Sequence, residues 1–312
     1  MFVTKRALQV AILAALLLFH ITLGARAAAQ TRDRSEAKTI TLGIAADFNP
    51  KEVEERFKDF VRYVASKLSS PSIIEGRIVV APTQSRLANL LTERKADFYM
   101  ESPYPTYLIN SVYGAGKLLL RRWKGGMADY HALIFTKKDG ATKRLEDLRG
   151  KFIAFEDPES TSGYFLPNRF LTGKGFKLLR KTEIEAKVSP REVAYVFANS
   201  QDKLVDLVLT EQVAAGAFSN DDYAALDDRK KSAITILAKT TSLPRHLVSV
   251  RRDLAQSLAN GLTKILTSMH QDPEGRLVLQ RTDGTTKFDA LPGGELAMRQ
   301  RLLDTYSAAG KK

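Results

Sequence analysis

The chain has 312 residues, a formal net charge of +13 and no cysteine. The missing cysteine excludes a disulfide framework, a thiolate zinc site, a cysteine nucleophile and a lipoprotein anchor together. The basic excess favours anionic partners by steering, but no basic run is interleaved with aromatics, so nothing points to nucleic acid.

The first residues read as a segment apart from the fold. Lys5 and Arg6 precede an apolar run from Ala7 to Leu23, and Ala25-Arg26-Ala27 supplies a small-x-small cleavage pattern. That is the layout of a secretory signal peptide over residues 1–27, with Ala27-Ala28-Ala29 as an alternative cleavage site. A membrane anchor is the competing reading, and the apolar run is short for one. Cleavage removes Lys5, Arg6 and Arg26, taking the charge from +13 to +10. About 285 residues remain, enough for one large domain or two ordinary ones. An exported, unlipidated, cysteine-free chain fits a soluble protein of a bacterial periplasm.

From residue 40 the pattern alternates strand and helix. "ITLGIAA" (40–46) reads as a strand, followed by a helix whose stripe is Val53, Phe57, Phe60, Val61, Val64 and Leu68. Asn49 can cap that helix, Pro50 suits its first position, and Glu52 completes a capping-box spacing. "GRIVVA" (76–81) is a second strand, and a helix over 84–95 buries Leu87, Leu90 and Leu91. "ADFYM" (96–100) is a third strand running into "ESPYPTY". Alternation of this kind predicts parallel pairing in a covered α/β sheet.

Beyond residue 117 two strands, "KLLLRRW" and "YHALIFTKK", flank Gly125-Gly126, and "LEDLRG" is a short helix stopped by Gly150. A strand over 151–155 follows. A second α/β run takes in 192–198, a helix over 200–210, 212–219 and a short helix. Residues 233–240 and 246–254 are strands, and the remainder reads as helical. The organisation expected is one lobe from 39–130 and 246–305, with a second lobe, 137–238, inserted into it. The chain crosses between them at 129–136 and 236–250, and both lobes are expected to be mainly parallel.

The strand at 151–155 opens "FEDPESTSGYFLP" (155–167). Pro167 is tolerated mainly near a helix start, which places the regular helix from about Gly163 and leaves Ser160, Thr161 and Ser162 in the turn. Free N–H groups and the positive end of a helix bind phosphate-like anions without a basic side chain. An ordinary Ser/Thr cap explains one hydroxyl, but not three beside a glycine.

The order "TLGIAADFNP … ADFYMESPYPTY … LEDLRGKFIAFEDPESTSGYFLP … QVAAGAFSNDDY … TTSLPRHLVSVRRDL" resembles the phosphate/phosphite/phosphonate-binding proteins of bacterial ABC importers. The resemblance covers nearly the whole mature chain, and its most specific element is the 147–167 segment. It implies a two-lobed type-II periplasmic binding protein fold, two crossing hinge strands and ligand in the cleft. Ser160, Thr161, Ser162 and Gly163 then hold the oxyanion. The other family ligand positions fall on Phe48 and Asn49, on Ser102, Tyr104 and Tyr107, on Tyr130, and on Asn220 and Asp222. Whether Tyr104 or Tyr107 takes the family's tyrosine place stays open. His131 reads as structural, and Arg121, Arg122 and Trp123 as flanking groups.

The chain departs from many phosphonate binders in "ANSQDK" and "VAAGA", where a histidine gives way to Gln201 and a strand acid to Ala214. The oxyanion half of the pattern is kept better than the half that chooses the substituent. The expected function is therefore oxyanion capture for an ABC permease, by a monomer without cofactor or metal. A sensor subunit reporting to a membrane histidine kinase is the alternative. An enzyme is disfavoured: His131, His246 and His270 are widely spaced and no Gly-x-Ser-x-Gly elbow occurs.

Overall fold

The computed structural model describes residues 38–46, 49–68 and 74–307. The expected signal peptide and Phe48 lie outside the described residues. The chain begins with β1 (Lys38–Ala45), α1 (Pro50–Leu68), β2 (Ile74–Ala81), α2 (Gln84–Thr92), β3 (Phe98–Glu101), α3 (Pro103–Tyr107) and β4 (Gly116–Lys124). It leaves through β5 (Asp129–Tyr130) to β6 (Ala132–Lys137), β7 (Phe152–Phe155), α4 (Leu166–Gly173), β8 (Lys177–Arg180), β9 (Glu192–Phe197), α5 (Gln201–Leu209), β10 (Ala215–Ser219), α6 (Asn220–Ala225), α7 (Asp228–Ser232) and β11 (Ile234–Lys239). It returns through β12 (Leu243–Pro244) to β13 (His246–Arg251), α8 (Gln256–Ser268), α9 (Pro273–Arg281), β14 (Thr285–Asp289) and α10 (Gly294–Tyr306).

Two six-stranded sheets result, in the orders β14-β4-β13-β3-β1-β2 and β11-β6-β10-β7-β9-β8. A two-stranded ladder, Leu243 opposite Tyr130 and Pro244 opposite Asp129, lies between them. The crossings are thus shorter than 129–136 and 236–250: β6 and β11 already pair inside the second sheet, and β13 inside the first.

The expectation of mainly parallel sheets fails for the first. Only β1–β2 and β1–β3 are parallel there, because β13 and β14 enter beside β3 and β4 running the opposite way. In the second sheet the β10–β7, β7–β9 and β8–β9 pairs are parallel. "TTKFD" forms β14 where the sequence read as helix; Phe288 is buried there against Phe60, with ring centroids 5.9 Å apart. β8 also lay outside the sequence reading.

Local chemistry accounts for the elements that position the cleft. Asn49 caps α1, its side chain accepting from the Lys51 N–H, and Val53, Phe57, Phe60, Val61 and Val64 bury as the stripe predicted. Glu52 instead bonds Arg56 one turn on, so the capping box is not used. β7 and β10 are buried at every residue, as central strands of a covered sheet require. Gly216 on β10 lets Phe135 and Leu204 approach, since an added Cβ there would meet both within 3.0 Å. Separate apolar cores fill each lobe, and a further cluster joins them: Phe165 and Leu166 pack with Leu118, Leu247, Leu302 and Tyr306.

Candidate functional site

The C-terminal ends of β3 and β7, from different sheets, each feed a helix start, and the two starts face each other. In the second lobe the helix begins at Thr161, two residues earlier than expected, as a wide π-type turn (Thr161–Phe165) continuing into α4. Ser160 is its cap: the Ser160 hydroxyl accepts the Gly163 N–H at 2.9 Å and donates to Glu156 Oε2 at 2.7 Å. The Glu156 N–H in turn bonds the Gly163 carbonyl. Gly163 has to be glycine, because a Cβ would sit 2.5 Å from both the Glu156 Cβ and its carboxylate. Ser160 and the Gly163 N–H are therefore committed to the turn, and Glu156 with them. Burial raises the Glu156 pKa, opposed by the Ser160 hydroxyl.

Thr161 and Ser162 are buried, yet their N–H groups form no hydrogen bond among the described residues. These are the unsatisfied donors of a helix start. The Thr161 hydroxyl crosses to the other lobe, where it lies 3.0 Å from the Ser102 hydroxyl and accepts the Tyr104 N–H at 2.9 Å.

The first-lobe start is built differently. Ser102 stands at the cap position of α3 but its side chain caps nothing. Pro103 and Pro105 carry no N–H, and the Thr106 N–H bonds the Ser102 carbonyl. That leaves the Tyr104 N–H as the one free donor of this turn, and Thr161 receives it. The Ser102 N–H points back to Glu101 Oε2 at 3.2 Å. Glu101, the last residue of β3, has its pKa pushed up to about 7 by burial, against the pull of the Ser102 N–H and Gln84.

Aromatic rings close one side. Tyr104 stacks on Phe165 from the opposite lobe at 4.5 Å, and Tyr306 packs against Tyr104, Tyr107 and Phe165 at 5.4, 5.2 and 4.5 Å. Tyr104 thus offers its backbone across the cleft while its ring joins the apolar cluster, and the Tyr107 ring turns to Tyr306. On the other side Tyr130 is buried beneath the Arg245 guanidinium, 4.6 Å from the ring centre, and Arg245 pairs with Asp221 at 2.6 Å. Burial pushes the Tyr130 phenol up to about 12, opposed by Arg245 and by the nearby hydroxyls of Thr161 and Ser162.

The remaining expected ligand residues are used structurally. Asn49 is exposed and spent on the α1 cap. The Asn220 side-chain oxygen accepts the His131 N–H, tying α6 to the crossing. Asp222 forms a capping box with Ser219. Arg121 and Arg122 belong to the joint between β4 and β14, pairing with Asp289 and Asp283. A cavity of about 490 Å3 opens beside the crossing, lined by Arg56, Lys124 and Asp283 from one lobe, Asp221 and Asp222 from the other, and Arg245 between. Among the described residues no group of three or more His, Asp or Glu is arranged to hold a metal ion, and no helix is long and apolar enough to cross a membrane.

Two α/β lobes joined by a two-stranded ladder, with helix starts facing across the cleft, define a type-II periplasmic binding protein. Residues 42–292 match the family model described as "ABC transporter, phosphonate, periplasmic substrate-binding protein", and the chain belongs to that family. The family comprises substrate-binding transport proteins, not enzymes. Among solved structures, the chain is similar to XAC2383 from Xanthomonas citri bound to chloride, at 25% identity and a TM-score of 0.81, covering 87% of this chain and 98% of that one. The same protein bound to ATP gives 24% identity and 0.80, covering 88% and 98%. PhnD1 from Prochlorococcus marinus in complex with methylphosphonate gives 14% and 0.64, covering 89% and 100%.

Proposed function

We propose that this protein captures a small tetrahedral oxyanion of the phosphate, phosphite or phosphonate class between its lobes and delivers it to an ABC permease. It acts as a monomer exported through residues 1–27. The observation that carries this reading is the Tyr104 N–H bonded to Thr161 Oγ1 across the cleft. The second lobe brings the unsatisfied Thr161 and Ser162 N–H groups to this point and the first lobe brings the Tyr104 N–H, for which Thr161 stands where an anion oxygen would be the better acceptor. Charge-assisted hydrogen bonds are roughly twice as strong as neutral ones, so an anion entering between the starts outcompetes the Thr161 hydroxyl. It gathers the N–H groups of Tyr104, Thr161 and Ser162 with the hydroxyls of Ser102, Thr161 and Ser162. Ser160, Gly163 and Glu156 hold the turn in shape.

Entry requires the Ser102–Thr161 contact to part. The bodies that move are residues 39–130 with 246–305 and residues 137–238, hinged at β5 and β12. Small-angle scattering should show a more compact form once ligand is bound; an unchanged profile at saturation argues for a rigid pocket, or for a protein already closed on a co-purified ligand. A thermal-shift screen tests the ligand class, with phosphate, phosphite, methylphosphonate, aminoethylphosphonate, sulfate and ATP as probes. Binding only to the folded state raises the melting temperature by mass action. If none of the phosphorus oxyanions raises it, the reading fails.

A further inference from the structure

The last helix lays one face against the aromatic side of the cleft. α10 is polar over most of its surface, with Leu296 three-quarters exposed, but Met298, Leu302 and Tyr306 form one buried stripe four residues apart. Tyr306 is 3% exposed. Its ring is fixed on three sides by Tyr104, Tyr107 and Phe165, and the Arg301 guanidinium ties the helix to the Ser242 carbonyl next to the crossing. Those contacts leave the ring little freedom to re-aim its hydroxyl.

Among the described residues that hydroxyl has no partner in hydrogen-bonding geometry, although the Thr161 hydroxyl lies close enough to pull its pKa down. Its neighbours are the Thr161 hydroxyl and Tyr130, but neither is placed to accept its proton, and Thr161 is held in its position by Ser102 and the Tyr104 N–H. A buried donor left unpaired is costly and rare in folded proteins. Replacing the phenol by a phenyl ring would keep all the packing and remove that cost. An unpaired phenol beside the unsatisfied Thr161 and Ser162 N–H groups is accounted for if a ligand supplies its acceptor. Burial also holds the phenol far above its ordinary titration range, so it remains a neutral donor at any pH at which the protein works.

We propose that Tyr306, from the C-terminal helix, is a ligand-binding residue of the cleft, its hydroxyl donating to an oxygen of the bound oxyanion. The proposal rests on the oxyanion reading above and extends the site to a third element beyond the two helix starts. A rigid phenol in this place adds a neutral donor, and it favours tetrahedral anions with a free oxygen on the α10 side over those bearing a bulky substituent there.

The test compares Y306F with T161A, using calorimetry with inorganic phosphate, phosphite and methylphosphonate, and thermal melts without ligand. Y306F should bind the probe preferred by the wild type about tenfold or more weakly, as expected for a lost hydrogen bond to a charged group. Without ligand it should melt at or above the wild-type temperature, since an unpaired buried hydroxyl has gone. Affinity of Y306F within twofold of wild type, with T161A impaired, overturns the assignment of Tyr306 alone. A lower unliganded melting temperature with unchanged affinity does the same, and makes the hydroxyl structural. If T161A also binds normally, or the wild type binds none of the three anions, the oxyanion reading itself falls.

Discussion

Ser160 and Ser102 hold equivalent places, each preceding a helix near the C-terminal end of a central strand, but their hydroxyls are used differently. In the second lobe Ser160 caps its own turn, and Glu156 and Gly163 lock it. In the first lobe Ser102 caps nothing, two prolines strip the turn of donors, and the remaining Tyr104 N–H is satisfied only by Thr161 from the opposite lobe. One start is finished without its partner; the other is finished only when the lobes meet. A cleft built this way has a reason to close and a donor to offer when it opens. Substitutions on the self-contained side should therefore damage folding, and those at the shared contact should damage binding.

The largest effect is expected on the self-contained side. Gly163→Val places a branched side chain where the Glu156 Cβ and carboxylate lie 2.5 Å away. The Glu156 Cβ is held on the backbone and cannot swing clear. Overpacking of this kind costs about 3 kcal/mol, and a drop in melting temperature on the order of 10 °C is expected. A melt close to wild type would show that the turn is softer than its hydrogen bonds imply.

Next comes the carboxyl at the open side. Burial raises the Glu101 pKa from 4.5 to about 7. The unfolded chain therefore releases this proton first, and over that window each rise in pH favours unfolding; below it both states keep the proton and the cost vanishes. The loss should reach at most about 3 kcal/mol by neutral pH. Glu101→Gln keeps an acceptor for the Ser102 N–H and should flatten this part of the stability profile. Parallel profiles for the variant and the wild type would remove Glu101 from the account.

The third comparison sets Thr161→Ala against Ser160→Ala. Losing the Thr161 hydroxyl should weaken oxyanion binding about tenfold or more. Losing the Ser160 cap should cost stability of about 1 kcal/mol. Calorimetry and melts on both variants separate the roles, and the division fails if Ser160→Ala weakens binding more than Thr161→Ala.

Much of this was legible in the sequence, for reasons that differ along the chain. The apolar stripe of α1 and the buried runs of β7 and β10 are local patterns, and they appear where periodicity put them. The hydroxyl cluster was legible as a helix start, but not its division of labour. That depends on Glu156 reaching Ser160, and on a residue 59 positions away in Ser102. "ESPYPTY" carries two local signals of its own: prolines at alternate positions, which leave one donor, and an acid ending a buried strand. Tyr306 had no local signal at all. Its spacing from Leu302 and Met298 marks a helical stripe, and only the return of the last helix to the cleft decides what that stripe touches. β14 was missed for a similar reason: five mixed residues become a strand because β4 offers an edge.

The smallest effect is expected from the residue that charge alone would nominate. Arg121 is a cation near a cleft proposed to bind anions, yet its guanidinium is engaged on every side. Nε and Nη2 form a paired contact with Asp289 at 2.9 and 2.8 Å, and Nη1 reaches Asp129 at 3.2 Å. The group also lies 5.5 Å from the Trp123 ring centre. Two carboxylates hold it in the β4–β14 joint, and neutralise it from the viewpoint of an incoming anion. Arg121→Ala should lower stability by about 1 kcal/mol through the loss of this part-buried pair, and change oxyanion affinity by less than twofold. Calorimetry in low and moderate salt would read both direct contact and long-range steering, because steering fades as salt screens it. If Arg121→Ala abolishes binding while Thr161→Ala and Ser162→Ala bind normally, the anion sits at the β4 edge, and the two facing helix starts only hold the lobes together.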